Sequence, residues 1–255
     1  MNESLSNSRR KAVPLTLNFT FPYYGHPLKV VYITSGGFIF VGDTLHRWLA
    51  ASQYIAPLMA NFDTSLSNSS HVQYFTNETH FVVQWLNVQL GEQNTKESFS
   101  FQATLLKSGK IVFVYKNIPF SVKMISNSTH PLRLGISDAY IIEDIFKRKT
   151  IMEYDRIYLD QNRVTNYTAA ILTPQRFCNT FKDCGSCFKV ITNFNCKWCE
   201  SVKRCSDGFD RYRQQWFESK CQEQNYTCPK RDAYRAYNGF NFIKHLITSF
   251  IHIFQ

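Results

Sequence analysis

The feature that most constrains this 255-residue chain is the placement of its cysteines. All eight lie between Cys178 and Cys228, and none occurs elsewhere. An even number packed this densely, among few aliphatic residues, predicts a small module stapled by disulfides. A unit of about 50 residues buries too little apolar surface to be comfortably stable without such staples. A four-thiolate zinc site built from Cys184-x-x-Cys187 and Cys196-x-x-Cys199 is the rival reading. Its eight-residue gap is shorter than usual ribbon spacings, and it would leave four cysteines over. A redox-active CxxC is a third reading.

Sequons weigh between these readings. Asn-x-Ser/Thr triplets start at Asn2, Asn18, Asn68, Asn77, Asn127, Asn166 and Asn225, and seven in one chain favour a secreted or luminal protein, in which thiols pair with one another. Asn68, Asn77 and Asn127 fall in predicted loops or turns. Asn18 lies mid-strand with its side chain expected on the solvent side. Asn166 and Asn225 complete the candidate set, and Asn2 is too close to the start to count.

Hydrophobic content of 44% excludes a mostly disordered chain, and 16% aromatic residues suit a β-rich core. The net charge of +10 admits acidic partners such as heparan sulfate. Nucleic acid is set aside because the sequons oppose it and no RNP-like, helix-turn-helix or zinc-finger pattern is present.

Read in order, Leu15 to Phe21 (LTLNFTF) alternates strictly and predicts a half-buried strand. A turn-rich PYYGHP link leads into a strand–turn–strand pattern from Val30 to Val41 around Ser35-Gly36-Gly37. Leu45 to Ala51 predicts a short helix, and Ile55 to Phe62, interrupted by Pro57, a buried irregular connection. HFVVQWLNVQL pairs with VQYF as one hairpin, and SFSFQATLL with IVFVYK as another. Arg133 to Ile136 and Arg156 to Leu159 are shorter strand candidates. The whole predicts a mainly β architecture: an antiparallel β-sandwich-like domain over residues 13–172, then the small disulfide-rich module over residues 177–229. Residues 1–12 read as a disordered remnant. In the tail, 230–255, the apolar positions Phe242, Ile243, Leu246, Ile247, Phe250, Ile251 and Phe254 trace an amphipathic helix pattern, too short and polar to span a bilayer.

Two family resemblances stand on these residues. Steps of six, three, nine, three and six residues from Cys178 to Cys205, with Trp198 in CKWC and the segment SDGFDRYRQQW, resemble the plexin–semaphorin–integrin (PSI) domain. That resemblance implies the bridges Cys178–Cys196, Cys184–Cys228, Cys187–Cys205 and Cys199–Cys221; spacing alone leaves on the order of a hundred pairings open. The stretch FPYYGHPLKVVYITSGGFIFVGDTLHRWLAASQYIAPLMANFD, with FVVQW, SFSFQATLLKSGKIVFVYK and HPLRLGISDA, resembles the nidogen-like region of plexin domain-containing proteins, the tumour endothelial marker family. There the region directly precedes a PSI domain, as it does here across the connector Thr173-Pro174-Gln175-Arg176. The resemblance implies the ligand-binding extracellular part of a single-pass plasma-membrane receptor, with basement-membrane nidogen or pigment epithelium-derived factor as partners. Members carry a transmembrane helix after this region. No leader or apolar span is visible here, so the sequence reads as a fragment, a truncated form or an incomplete gene model. A soluble or matrix-associated adhesive glycoprotein is the alternative.

Catalytic motifs are missing: no GxSxG, HExxH, P-loop or dinucleotide-binding glycine pattern occurs. Asp43 with His46, and the proline-flanked His26 and His130, are the residues that could serve a metal or acid–base role; they read as ordinary surface or packing residues. Asp138 in LGISDA reads as a turn cap, and Trp85 and Trp198 as core aromatics. The expectation is a non-enzymatic binding protein with no cofactor.

Overall fold

In a computed structural model, the described residues are 5–43, 50–91, 96–189, 194–224, 228 and 253–254. Two antiparallel sheets face one another. The first runs β1 (Ala12–Tyr23), β2 (His26–Thr34), β3 (Ile39–Phe40), β4 (Tyr54–Met59), β10 (Arg133–Glu143), β11 (Lys149–Tyr158). The second is ordered β12 (Thr168–Leu172), β9 (Ile111–Asn117), β8 (Phe99–Leu106), β7 (His80–Leu90), with β5 (Phe62–Asp63) and β6 (His71–Thr76) both pairing β7. Alternation decides which side chains enter the layer between them. Leu17, Phe19 and Phe21 of β1 are buried while Asn18 and Thr20 are exposed, and Phe81, Val83 and Trp85 of β7 face them from the second sheet. Polar atoms also bridge the sheets: Trp85 Nε1 donates to Thr34 O at 2.7 Å, and Tyr115 Oη donates to Pro57 O at 2.8 Å.

Strict alternation would carry Leu86 outward and Asn87 into the core. A bulge between Trp85 and Val88, with Asn87 at φ +51°, inserts one residue and brings Val88 and Leu90 back to the buried face. Asparagine adopts this left-handed conformation more readily than most residues.

Several expectations are corrected here. Residues 5–11 are not a disordered remnant: Leu5 is fully buried in the sandwich core, and Ser8 N donates to Thr64 Oγ1 at 2.8 Å. Tyr54–Met59 is strand β4 rather than an irregular connection. Pro57 is tolerated because the ladder with β10 slips between Ala56↔Gly135 and Met59↔Arg133, so no partner requires its missing N–H. The two short candidates at Arg133 and Arg156 grow into the eleven-residue strand β10 and the ten-residue strand β11. Most of the expected helix at Leu45–Ala51 (residues 45–49) and most of the tail lie outside the described residues. Ile253–Phe254 are extended and pair with β12 as β15, instead of ending a helix.

The cysteine-rich stretch folds around α1 (Cys184–Lys189), the hairpin β13 (Lys197–Cys199) and β14 (Arg204–Ser206), and α2 (Arg213–Glu218). Its bridges are Cys178–Cys196, Cys184–Cys228, Cys187–Cys205 and Cys199–Cys221, the pairs that the PSI resemblance implies. Closing loops of 18 to 44 residues stabilises by about 3–4 kcal/mol each in the chain-entropy account. The remaining core is small. Trp198 packs with Cys178, Cys184, Cys187 and Cys205, and Trp216 with Cys199 and Cys221.

Trp85→Ala removes a fully buried ring and leaves the Thr34 carbonyl without its donor. Denaturant unfolding is expected to show a loss of about 3–5 kcal/mol, against under about 1 kcal/mol for Val114→Ala on the exposed face of β9.

Candidate functional site

The site is the junction where the disulfide module meets the first sheet of the sandwich, from the β1–β2 hairpin tip across to β10 and β11. Its centre is Asp138, in the middle of β10 and fully buried. A carboxylate there must find donors or lose its charge. Four reach it. Arg211 of the module donates from Nε to Oδ2 at 2.7 Å and from Nη2 to Oδ1 at 2.9 Å, a two-pronged pair with 8% and 0% of the side chains exposed. Tyr154 Oη donates to Oδ2 at 2.5 Å, and Gln53 Nε2 donates to Oδ1 at 3.1 Å. Arg211 Nη2 also donates to Val41 O at 2.9 Å, and its guanidinium lies over the Tyr23 ring. Burial, reinforced by the Asp138 charge, holds the Tyr154 phenol far above its ordinary pKa, so it stays a proton donor. The turn cap expected at Asp138 is therefore corrected: this is an interior strand residue paired across 73 positions of sequence.

The loop bearing Arg211 is itself fixed. Asp210 accepts from Tyr212 N at 2.9 Å and from Ser206 Oγ at 2.6 Å, and pairs with Arg204. On α2, Gln214 meets both backbone groups of Glu143, accepting from its N–H at 3.0 Å and donating to its carbonyl at 3.4 Å. The motifs LGISDA and SDGFDRYRQQW thus converge on one contact.

The sandwich contributes the tip of the β1–β2 hairpin. Tyr23 pairs with His26 across the two-residue turn Tyr24-Gly25, whose φ values of +47° and +76° are those of a type I′ turn. A Cβ on Gly25 would lie 1.9 Å from Asn179 Oδ1, so only glycine lets the module approach this closely. Asn179 Nδ2 donates to Tyr24 O at 3.0 Å and lies 3.1 Å from His26 Nε2. His26 also meets the Tyr212 ring edge-on. Its role is docking. Burial pushes its pKa down to about 4, and protonation at Nε2 would set two donors against each other.

Beside this contact opens a cleft of about 200 Å³, lined from the sandwich by Tyr24, Tyr154 and Asp155 and from the module by Phe177, Asn179 and Phe209, among others. Tyr154 and Asp155 are consecutive yet both line it. The β10–β11 ladder steps from Asp138↔Asp155 to Ala139↔Glu153, and the extra residue turns both side chains to one side.

The other expected residues are placed as follows. Asp43 is described but His46 is not, so their pairing lies outside the described residues. His130 Nδ1 lies 3.1 Å from Pro131 O, apart from the junction contacts above. Trp85 and Trp198 are core residues of the sandwich and the module. Asn18, Asn68, Asn77, Asn127 and Asn166 are all exposed, and none lines the cleft; Asn225 is outside the described residues. In Asn77 and Asn166 the Oδ1 atom accepts backbone hydrogen bonds, which sets the amide nitrogen on the opposite side of the group. Among the described residues no three His, Cys, Asp or Glu side chains converge to hold a metal. The signal that could have revealed Asp138 is a single carboxylate inside the apolar run LGISDAYII, a pattern that calls for a buried partner.

Asp138→Asn and Arg211→Met each leave an uncompensated buried charge or a lost fork, and denaturation is expected to show losses of about 3–5 kcal/mol. The double variant Asp138→Leu/Arg211→Met should recover most of that loss. pH supplies a separate check. The folded-state pKa of His26 lies below its unfolded value, so its contribution is complete above about pH 6.5 and declines as pH falls toward 4. Stability measured over that range should fall in the native chain and less steeply in His26→Leu.

No solved structure matches the chain. The family model described as NIDO related matches residues 3–168, which spans the sandwich from its buried N-terminal turn to the start of β12. The chain belongs to the NIDO-related family, and with its disulfide-rich stretch it is an extracellular protein of adhesive type.

Proposed function

We propose that the chain is the ligand-binding extracellular region of a single-pass cell-surface receptor of the plexin domain-containing family, with no enzymatic activity. Its disulfide-rich stretch acts as a PSI module that orients the sandwich relative to the membrane. The observation that carries this reading is the two-pronged Arg211–Asp138 pair. A module joined only by the connector at residues 173–176 would swing freely. One locked by a desolvated, geometrically specific fork presents the sandwich in a fixed pose, so less orientational freedom is lost on binding. The exposed sequons of the sandwich are consistent with an extracellular setting and leave the junction uncovered. The family resemblance supplies nidogen and pigment epithelium-derived factor as partners, and the +10 charge supports heparan sulfate as an auxiliary one.

The nidogen-related match itself favours a second reading, a soluble or matrix-associated adhesive glycoprotein. Surface labelling of intact cells that make the native protein separates the two. The receptor reading expects the protein to be labelled at the surface, released only by detergent, and captured by immobilised nidogen or pigment epithelium-derived factor. Recovery in the medium or in a salt extract of the matrix, with none at the surface, would overturn it.

A further inference from the structure

The tip of the β10–β11 hairpin carries two apolar side chains that the docking contact does not use. Ile145 is 90% exposed and Phe146 is 70% exposed, side by side in the turn at residues 144–148. That turn is built, not loose. Asp144 N donates to Arg148 O at 3.0 Å, and Lys147 N donates to Asp144 O at 3.0 Å. The Asp144 carboxylate accepts from Phe146 N at 2.8 Å, from Arg148 N at 2.9 Å and from Arg148 Nε at 2.7 Å. Lys147 takes the left-handed φ of +63°. None of these contacts uses the side chain of Ile145 or Phe146, so forming the turn does not account for holding them out in water. An apolar pair fixed at a projecting tip marks an interaction surface.

Charge says what kind of surface fits. Lys147, Arg148 and Lys149 follow the pair directly, with 84%, 75% and 65% of their side chains exposed. The carboxylates that partner them, Glu143 and Asp144, are only 27% and 35% exposed, so a surface approaching the tip meets the cations first. The Arg148 guanidinium lies over the Phe146 ring at 5.2 Å, which keeps positive charge and apolar surface together. The tip is also on the module's side of the sandwich. Gln214 of α2 clamps Glu143 at the base of the turn, and Phe217, three residues further along that helix, is 70% exposed as well.

We propose that this hairpin tip inserts into the interface of a lipid bilayer carrying anionic phospholipid headgroups. Ile145 and Phe146 enter the boundary between headgroups and acyl chains, while the long stems of Lys147, Arg148 and Lys149 lie along it and bring their charged ends to the phosphates. A protein partner would have to supply both a pocket for the apolar pair and placed carboxylates for the cations. A bilayer interface supplies apolar depth and a negative surface together, with no placed partners. The +10 charge of the whole chain adds attraction of the same sign at long range. Two inserted side chains and a short basic run fall below what stable anchoring needs, so the contact is reversible and orients a chain already held near a membrane. The inference does not rest on the receptor reading, because a matrix-associated form carries the same tip.

The full chain, secreted with its glycans, is sedimented with sucrose-loaded vesicles of phosphatidylcholine, either alone or with about 30% phosphatidylserine. Saturable binding to the phosphatidylserine vesicles at millimolar lipid is expected, at least about tenfold above phosphatidylcholine alone. Ile145→Ser/Phe146→Ser should weaken that binding by at least about tenfold. Its unfolding midpoint should not change, because the turn is held through backbone atoms and Asp144. Lys147→Gln/Lys149→Gln should also weaken binding by about tenfold or more, since each cation near an anionic surface contributes about fivefold. Tyr167→Ser removes a ring that is 81% exposed beside β12, on the second sheet, and should leave binding unchanged. Absence of binding at millimolar lipid, equal binding to the two vesicle types, or an Ile145/Phe146 variant that binds like the native chain would overturn the proposal. So would lipid-free dimerisation of the native chain that the same variant abolishes, since the tip would then be a contact between copies. The comparison of vesicle types on the native chain decides the matter even without the variants.

Discussion

The architecture depends on one buried ion pair. Taking Asp138 and Arg211 out of water costs several kcal/mol per ion, and their attraction offsets this only where geometry and additional donors are nearly ideal. The surroundings meet that demand. Tyr154 and Gln53 complete the carboxylate, Val41 O takes a further guanidinium proton, and Tyr23 presents its ring. A pair of this kind contributes little net stability against an apolar substitute. What it contributes is discrimination, because no shifted docking of the module satisfies both charges. The glycine turn at the hairpin tip, the Asn179 contacts and the Gln214 clamp on Glu143 are arranged around that single registration.

The disulfides and the ion pair act at different levels. The bridges make a module with little apolar core able to hold a shape, with Trp198 and Trp216 as its only large buried apolar side chains apart from the cysteines among the described residues. They say nothing about where that shape sits. The loop from Ser206 to Tyr212 converts internal rigidity into placement: Asp210 ties it to Arg204 and Ser206, and the residue next to it carries the guanidinium across to the sandwich. Rigidity inside the module is therefore transmitted to the sandwich, and the cleft formed between them inherits a defined shape.

Much of the sandwich was legible because its strands are buried on one face. LTLNFTF, SFSFQATLL and IVFVYK alternate as half-buried strands must, and the cysteine cluster announced its own module. Legibility failed where a neighbour, not the local pattern, decides. β4 is buried on both faces and contains Pro57, so it shows neither alternation nor an uninterrupted run. β11 carries its charges on a half-exposed edge, and its bulge breaks the period at Tyr154. Leu5 belongs to the core through contacts with residues far along the chain. Asp138 is the clearest case. Its identity is visible in LGISDA, but its meaning comes from Arg211, and the sequence between them carries no sign of the pairing.

The most direct test of the central claim is whether the two units tumble as one body in solution. Residual dipolar couplings of the secreted chain, fitted separately for the sandwich and for the cysteine-rich module, report the orientation of each. A single shared alignment tensor, related by the orientation that the Arg211–Asp138 pair imposes, is the predicted result. Two tensors of different magnitude, or one reduced by averaging in the module, would show a free hinge and contradict the account.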